Sequence, residues 1–166
     1  MTYLMYKLME YRNQEIRQRL EKVGSAASML HLDVLLLIYH FAKITPGNVL
    51  EIGPYVGGST IAAAFGACES VKRKKIISVE AGGRLKHRRI PSRNIFKDLK
   101  KNLARFGVSE SVTLINGYSF QETTISAIRQ MLGRAVKWVS SFSMPMATCA
   151  GTWIAIAICW PTVAGL

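Results

Sequence analysis

The sequence predicts an α/β fold with a parallel sheet and flanking helices, and three observations lead there. Short apolar runs bounded by turn residues recur at 49–52, 76–80 and 112–115. Segments with helical spacing lie between them. A glycine-rich turn joins the first run to its helix, as a parallel strand needs when it hands the chain to a crossover. With 166 residues, 49% of them hydrophobic, the chain has material for one buried core. That excludes a disulfide-stapled miniprotein and a mainly disordered chain.

The elements follow in order. Met1 to about Val23 has helical spacing, with Leu4, Leu8, Ile16 and Leu20 on one stripe. Gly24-Ser25 is expected to end that helix, and Ser25 or Ser28 to cap a second one running to about Lys43. The second helix is apolar nearly all round from Val34 to Ile38, so it is expected to be buried. Thr45-Pro46-Gly47-Asn48 is a turn. The first strand covers Val49 to Ile52, its helix Ser59 to Ala67, and the second strand Ile76 to Glu80. A polar connection holding Gly82, Gly83 and Pro91 leads to a helix from Asn94 to Phe106, which Gly107 ends. The third strand is Val112 to Ile115, and Phe120 to Leu132 is a helix with Ile125, Ile128 and Leu132 on one side. The expected organisation is N-terminal helices over 1–47, a ligand-binding α/β unit over 48–132 and an atypical apolar tail over 133–166.

Charge is distributed unevenly. Lys and Arg number 22 against 10 Asp and Glu, a formal +12. Between Lys72 and Arg105 stand 13 basic residues and two acidic ones, Glu80 and Asp98; beyond Lys137 no residue is charged. The functional reading of the basic middle is an electropositive rim that attracts an anionic acceptor or a nucleic acid. The other reading is a solvated surface balanced by acidic residues elsewhere, and the sequence favours it. No aromatic residues interleave Lys72–Lys75 and Arg84–Arg89, which argues against a base-stacking platform for single strands.

The most informative segment is Glu51-Ile52-Gly53-Pro54-Tyr55-Val56-Gly57-Gly58-Ser59-Thr60. Gly53 permits a sharp turn, and Gly57 and Gly58 let backbone approach a ligand. The helix that follows offers free N–H groups to a carboxylate or phosphate. Glu80, at the end of the next strand, is placed to accept hydrogen bonds from both hydroxyls of a ribose. The spacing is G-x-x-x-G-G, whereas the dinucleotide fingerprint is G-x-G-x-x-G.

Glu-Ile-Gly-x-x-x-Gly-Gly-Ser-Thr, Ser78-Val79-Glu80, Asn102-Leu103-x-x-x-Gly107-Val108 and Val112-Thr113-Leu114-Ile115-x-Gly117 together resemble the first half of a class I S-adenosylmethionine-dependent methyltransferase. The likeness spans about Val49 to Gly117. It implies a Rossmann-like parallel sheet, here incomplete because the later strands of that sheet are missing. It also implies S-adenosylmethionine as cofactor and methyl transfer to an oxygen or nitrogen of an acceptor. By the same resemblance Gly53, Tyr55, Gly57 and Gly58 lie in the segment that cradles the methionine part, and Glu51 orients that loop or meets the amino group. Ser59 caps the helix or reaches the cofactor carboxylate. Glu80 holds the ribose, and Ala81 lies beside the adenine. Tyr118 and Ser119 stand where the family often carries an acidic residue, so Tyr118 is placed to stack on the base or simply to pack.

No catalytic residue is named by the sequence. The groups that assist such transfers usually follow the fourth strand in this family, and none stands there. His31 and His40 are expected to be structural and His87 solvated; no spacing suits a metal. The alternative function is a non-catalytic nucleotide- or nucleic-acid-binding module built on the same turn and the basic middle. Cys68, Cys149 and Cys159 have no metal or disulfide spacing, and no basic n-region with an apolar run opens the chain, so the expected location is cytoplasmic.

The tail departs from the family. Val136 to Val139 starts like a strand, but Ser140 to Trp153 has neither period. A membrane span is not favoured, because Gly151, Thr152, Pro161 and Gly165 dilute the apolar run. Met and Trp have single codons, so triplets begun at the third base of each codon can be partly recovered. Trp138-Val139 then gives Gly, Met144-Pro145 Ala, Met146-Ala147 Gly and Trp153-Ile154 Asp. The expectation is an out-of-frame tail on a truncated domain, inactive or poorly folded alone, with an apolar sheet edge left exposed.

Overall fold

The computed structural model describes residues 2–132 and, beyond them, the backbone of two strands at 136–137 and 155–161. The out-of-frame reading of 133–166 falls mainly outside the described residues. Three helices come first: α1 (Tyr3–Tyr11), α2 (Glu15–Ala27) and α3 (Leu32–Ile44). There follow β1 (Asn48–Ile52), α4 (Gly58–Cys68), β2 (Ile76–Glu80), α5 (Ile95–Arg105), β3 (Val112–Asn116) and α6 (Glu122–Leu132). Two further strands follow, the two-residue β4 (Val136–Lys137) and the seven-residue β5 (Ala155–Pro161).

The expected parallel sheet is present: β3, β2 and β1 lie side by side, with Glu51 opposite Ser78 and Glu80 opposite Asn116. Strand side chains alternate faces, so Val49, Glu51, Ile76, Ser78 and Glu80 point one way. There Val49 and Ile76 join the larger core with Leu20, Leu36, Ile61 and Leu99. Leu50, Ile77 and Val79 point the other way and pack with Ile128 of α6. The result is three layers, with helices on both faces of the sheet.

Two expectations need correction. Gly24-Ser25 does not break a helix; it lies inside α2, and the break falls at 12–14. The helix after it starts at Leu32, where the His31 ring accepts from the Asp33 amide, so neither Ser25 nor Ser28 is its cap. The break turns α1 back across α3, where Tyr3 and Tyr11 hydroxyls hydrogen-bond with the two ring nitrogens of buried His40 at 3.0 and 2.7 Å. The second correction concerns the sheet edge. β5 pairs antiparallel with β1, Leu50 opposite Ala157, so that edge of β1 is covered. An extended Ala-Ile-Ala-Ile run satisfies the ladder whatever its direction.

α4 is buried from Gly58 to Ala67, enclosed by α2, α3 and the sheet. Its glycines allow this: a Cβ on Gly66 would overlap the Tyr39 carbonyl oxygen of α3. The Lys74 ammonium holds the carbonyls of Ala42 and Thr45 at the end of α3. No single helix among the described residues is long and apolar enough to cross a membrane.

Candidate functional site

The carboxyl ends of β1, β2 and β3 meet at one edge, which is where open α/β sheets form their ligand crevices. The ladder extends past the strand ends there: the Gly53 amide donates to Val79 O at 2.9 Å and the Gly117 amide to Glu80 O at 3.0 Å. Glu80 is the centre of the arrangement. Its Oε2 accepts from the Tyr55 amide at 3.0 Å and its Oε1 from the Gly82 amide at 2.9 Å. One carboxylate thus ties the turn after β1 to the loop after β2. Burial pushes its pKa up, and the amides of Gly82, Tyr55 and Ala81 work against that rise.

The backbone of the turn is shaped for this contact. Gly53 and Gly57 have φ of 72° and 99°, and Tyr55, a non-glycine, sits at 56°. A left-handed tyrosine costs about 1–2 kcal/mol, and its neighbours hold it there. Its amide is on Glu80, and its hydroxyl donates to Ile90 O beneath the basic loop. The Asn102 side chain adds a brace from α5, donating to Val56 O at 2.8 Å.

The predicted site residues take different places. Glu51 is 1% exposed and accepts from the hydroxyls of Ser59, Thr60 and Ser78. It therefore stands under the turn and fixes α4 to the sheet, and burial raises its pKa despite the three hydroxyls. Ser59 spends its hydroxyl on Glu51, and α4 has no side-chain cap. Gly58 makes its close approach to protein: a Cβ there would overlap Ser28 and lie 2.6 Å from Ala27 O. A Cβ on Gly57 would come within 2.6 Å of Leu99. Gly53 is half-buried, whereas Ala81, Tyr118 and Ser119 are exposed around the carboxyl edge of the sheet.

Sequence reasoning missed several members. Phe120, 77% exposed, stacks on Tyr118 with ring centroids 5.3 Å apart. Gly82, at φ 85°, supplies an amide to Glu80, a role its place in a polar connection hinted at. Asn102 was visible only as part of a motif. The histidines serve the scaffold: His40 bonds two tyrosines, His31 caps α3, and His87 Nδ1 accepts from the amides of Arg89 and Ile90 at 3.2 and 3.1 Å. Among the described residues no group of His, Cys, Asp and Glu could hold a metal ion. An open cleft of about 400 Å³, lined by Glu21, Gly24, Leu30, His31 and Arg89, lies at the α2–α3 corner and shares no residue with the glycine turn. In comparison with known proteins, the sequence matches no family model and no curated protein sequence.

Proposed function

We propose that this chain carries the cofactor-binding part of an S-adenosylmethionine-dependent methyltransferase, acting on an oxygen or nitrogen of its acceptor. The observation that carries the reading is the Glu80 carboxylate, held by two amides at the carboxyl edge of three parallel strands. A carboxylate has about four acceptor positions, so the amides of Tyr55, Gly82 and Ala81 leave acceptor capacity for a ribose hydroxyl. The residues fit the group in other respects. Half-buried Gly53 leaves backbone reachable beside Glu80, and the exposed Tyr118–Phe120 pair offers an apolar face to an adenine.

When bound, S-adenosylmethionine supplies a methyl group on a sulfonium. The protein's part is then to fix position and exclude water. Glu80 orients the ribose, the braced Gly53–Gly57 turn accommodates the methionine end, and Glu51 keeps the turn from shifting. Calorimetry of the full chain with S-adenosylmethionine and with NAD tests the reading. We expect the first to bind and the second not to. Glu80→Ala should weaken binding about 10- to 100-fold, the worth of a charged hydrogen bond. Binding of NAD alone, or of neither, refutes it.

One observation favours a second reading, a nucleotide-binding module without catalysis. Each of the three histidines makes scaffold contacts, His40 through both ring nitrogens and His31 and His87 through Nδ1. Cofactor binding without transfer to any of a panel of hydroxyl and amine acceptors would favour that module.

A further inference from the structure

We propose that the exposed cationic surface running from the loop after β2 onto the outer face of α5 binds nucleic acid, gripping the sugar–phosphate backbone rather than the bases. This surface uses none of the crevice residues and stands apart from the cofactor reading.

The loop contributes Arg84, Lys86, Arg88 and Arg93, all exposed. α5 contributes Lys97, Lys100, Lys101 and Arg105, also exposed. Their spacing of three, one and four residues puts them on one helix face, opposite the buried Ile95, Leu99 and Leu103. Among the described residues none of these eight forms an ion pair, because the six pairs present lie elsewhere. The acidic residue in the span, Asp98, is half-buried and accepts from the Ser92 hydroxyl at 2.6 Å. The reading of the basic middle as a surface neutralised by acids elsewhere therefore finds no partner charges here.

Loop and helix form one supported piece. Leu85 and Ser92 exchange backbone hydrogen bonds at 2.9 Å, Ile95 N donates to Gly83 O at 3.0 Å, and the Ser92–Asp98 bond ties the loop to the first turn of α5. The charges are thus presented by fixed backbone, which lowers the ordering cost of binding a partner.

The composition of the surface selects the partner. A membrane-surface helix carries exposed apolar side chains beside its cations, and a protein interface has an apolar core. On α5 the exposed positions are the four cations and Ala104, while Phe96 and Phe106 are half-buried under Lys100 and Arg105. A field of one sign without apolar relief matches a partner that is itself of one sign, regularly charged and hydrated. Phosphates along a nucleic-acid strand have that character. With no exposed ring to stack on, a base-paired duplex fits better than a single strand.

The test measures binding of the full chain to a labelled RNA duplex, and to a DNA duplex of the same sequence, by anisotropy across a salt series. The logarithm of affinity should fall linearly with the logarithm of salt, by about 0.9 per phosphate neutralised on a DNA duplex. The variant Arg88→Gln/Arg93→Gln/Lys97→Gln/Lys101→Gln should flatten that slope by about 3–4 and weaken binding at least about 100-fold near 0.1 M salt. Lys72→Gln/Arg73→Gln, in the loop at the other end of β2, should leave both within about twofold. Lys97→Arg/Lys101→Arg should keep full binding, which separates lost charge from lost fold. Three results would overturn the proposal. They are an unchanged slope in the fourfold variant with native circular dichroism, an equal loss in the Lys72/Arg73 variant, and retention on anionic vesicles but on neither duplex.

Discussion

Gly66→Ala sets two physical effects against each other at the most intimate helix contact in the protein. Gly66 lies inside α4, where replacing glycine by alanine normally gains about 0.5–1 kcal/mol of helix stability. The added Cβ would overlap the Tyr39 carbonyl oxygen and lie 3.0 Å from both Ala42 Cβ and Lys43 N. A Cβ does not approach a non-bonded heavy atom closer than 3.0 Å, so α3 and α4 must part by more than half an ångström. The nearest obstacle is backbone, which no rotamer change removes, and α4 is enclosed on every side. Overpacking of this kind costs about 1–3 kcal/mol, which exceeds the helix gain. The expected net loss is about 1–2 kcal/mol, lowering Tm by about 2–8 °C in a chain of this size. Gly24→Ala is the matched control, because its nearest neighbour would be Leu35 Cδ1 at 3.8 Å, an ordinary contact. That variant should raise Tm by about 1–4 °C. Thermal unfolding followed by circular dichroism reads both. If Gly66→Ala is as stable as the parent, or the two variants shift Tm in the same direction, the packing argument for α4 is wrong.

Two further predictions concern the N-terminal helices and the glycine turn. Burial, and then the Lys7 charge, hold His40 below its ordinary pKa of 6.5; Glu10 opposes that and Lys43 adds to it. The unfolded chain then takes up a proton that the folded chain refuses. Stability should be full above about pH 6.5 and decline as pH falls toward the folded value, a slope that His40→Gln removes in denaturant titrations. The difference between parent and variant isolates His40 from Glu51 and Glu80, whose raised pKa values act in the opposite sense. Asn102→Ala strips the brace from the buried Val56 carbonyl and should cost about 1–2 kcal/mol. It should also weaken S-adenosylmethionine more than Lys101→Ala does on the outer face of the same helix, as calorimetry will show.

Where local chemistry decides an element, the sequence was readable. Ile76 to Glu80 alternates nothing polar except Ser78 and Glu80, and it forms β2 with those bounds. Asn94 caps α5 through its side chain, accepting from Lys97 N at 3.0 Å, and left-handed Gly107 follows its end. Where tertiary contact decides, the sequence misled. Gly24 looked like a helix stop, yet it lies in α2 where the chain packs near Leu35. The break at 12–14 carries neither proline nor glycine, and nothing local announces that Tyr11 must turn to reach His40. The site divides in the same way. Strand and turn chemistry singled out Glu51, Gly53 and Glu80, but a linear reading could not show that Glu51 and Gly58 face protein. It also could not show that β5 would run antiparallel against β1.

The Arg89 guanidinium reaches back across the molecule, donating to Gly24 O at 3.2 Å and to Ser28 O at 2.5 Å at the end of α2. It places a cation at the negative end of that helix's dipole, and it does so from the loop next to Glu80. The end of α2 and the loop after β2 are therefore joined through one side chain. Whatever coupling that contact carries is reciprocal: stabilising the loop would stabilise the end of α2 by the same free energy that stabilising α2 would give the loop.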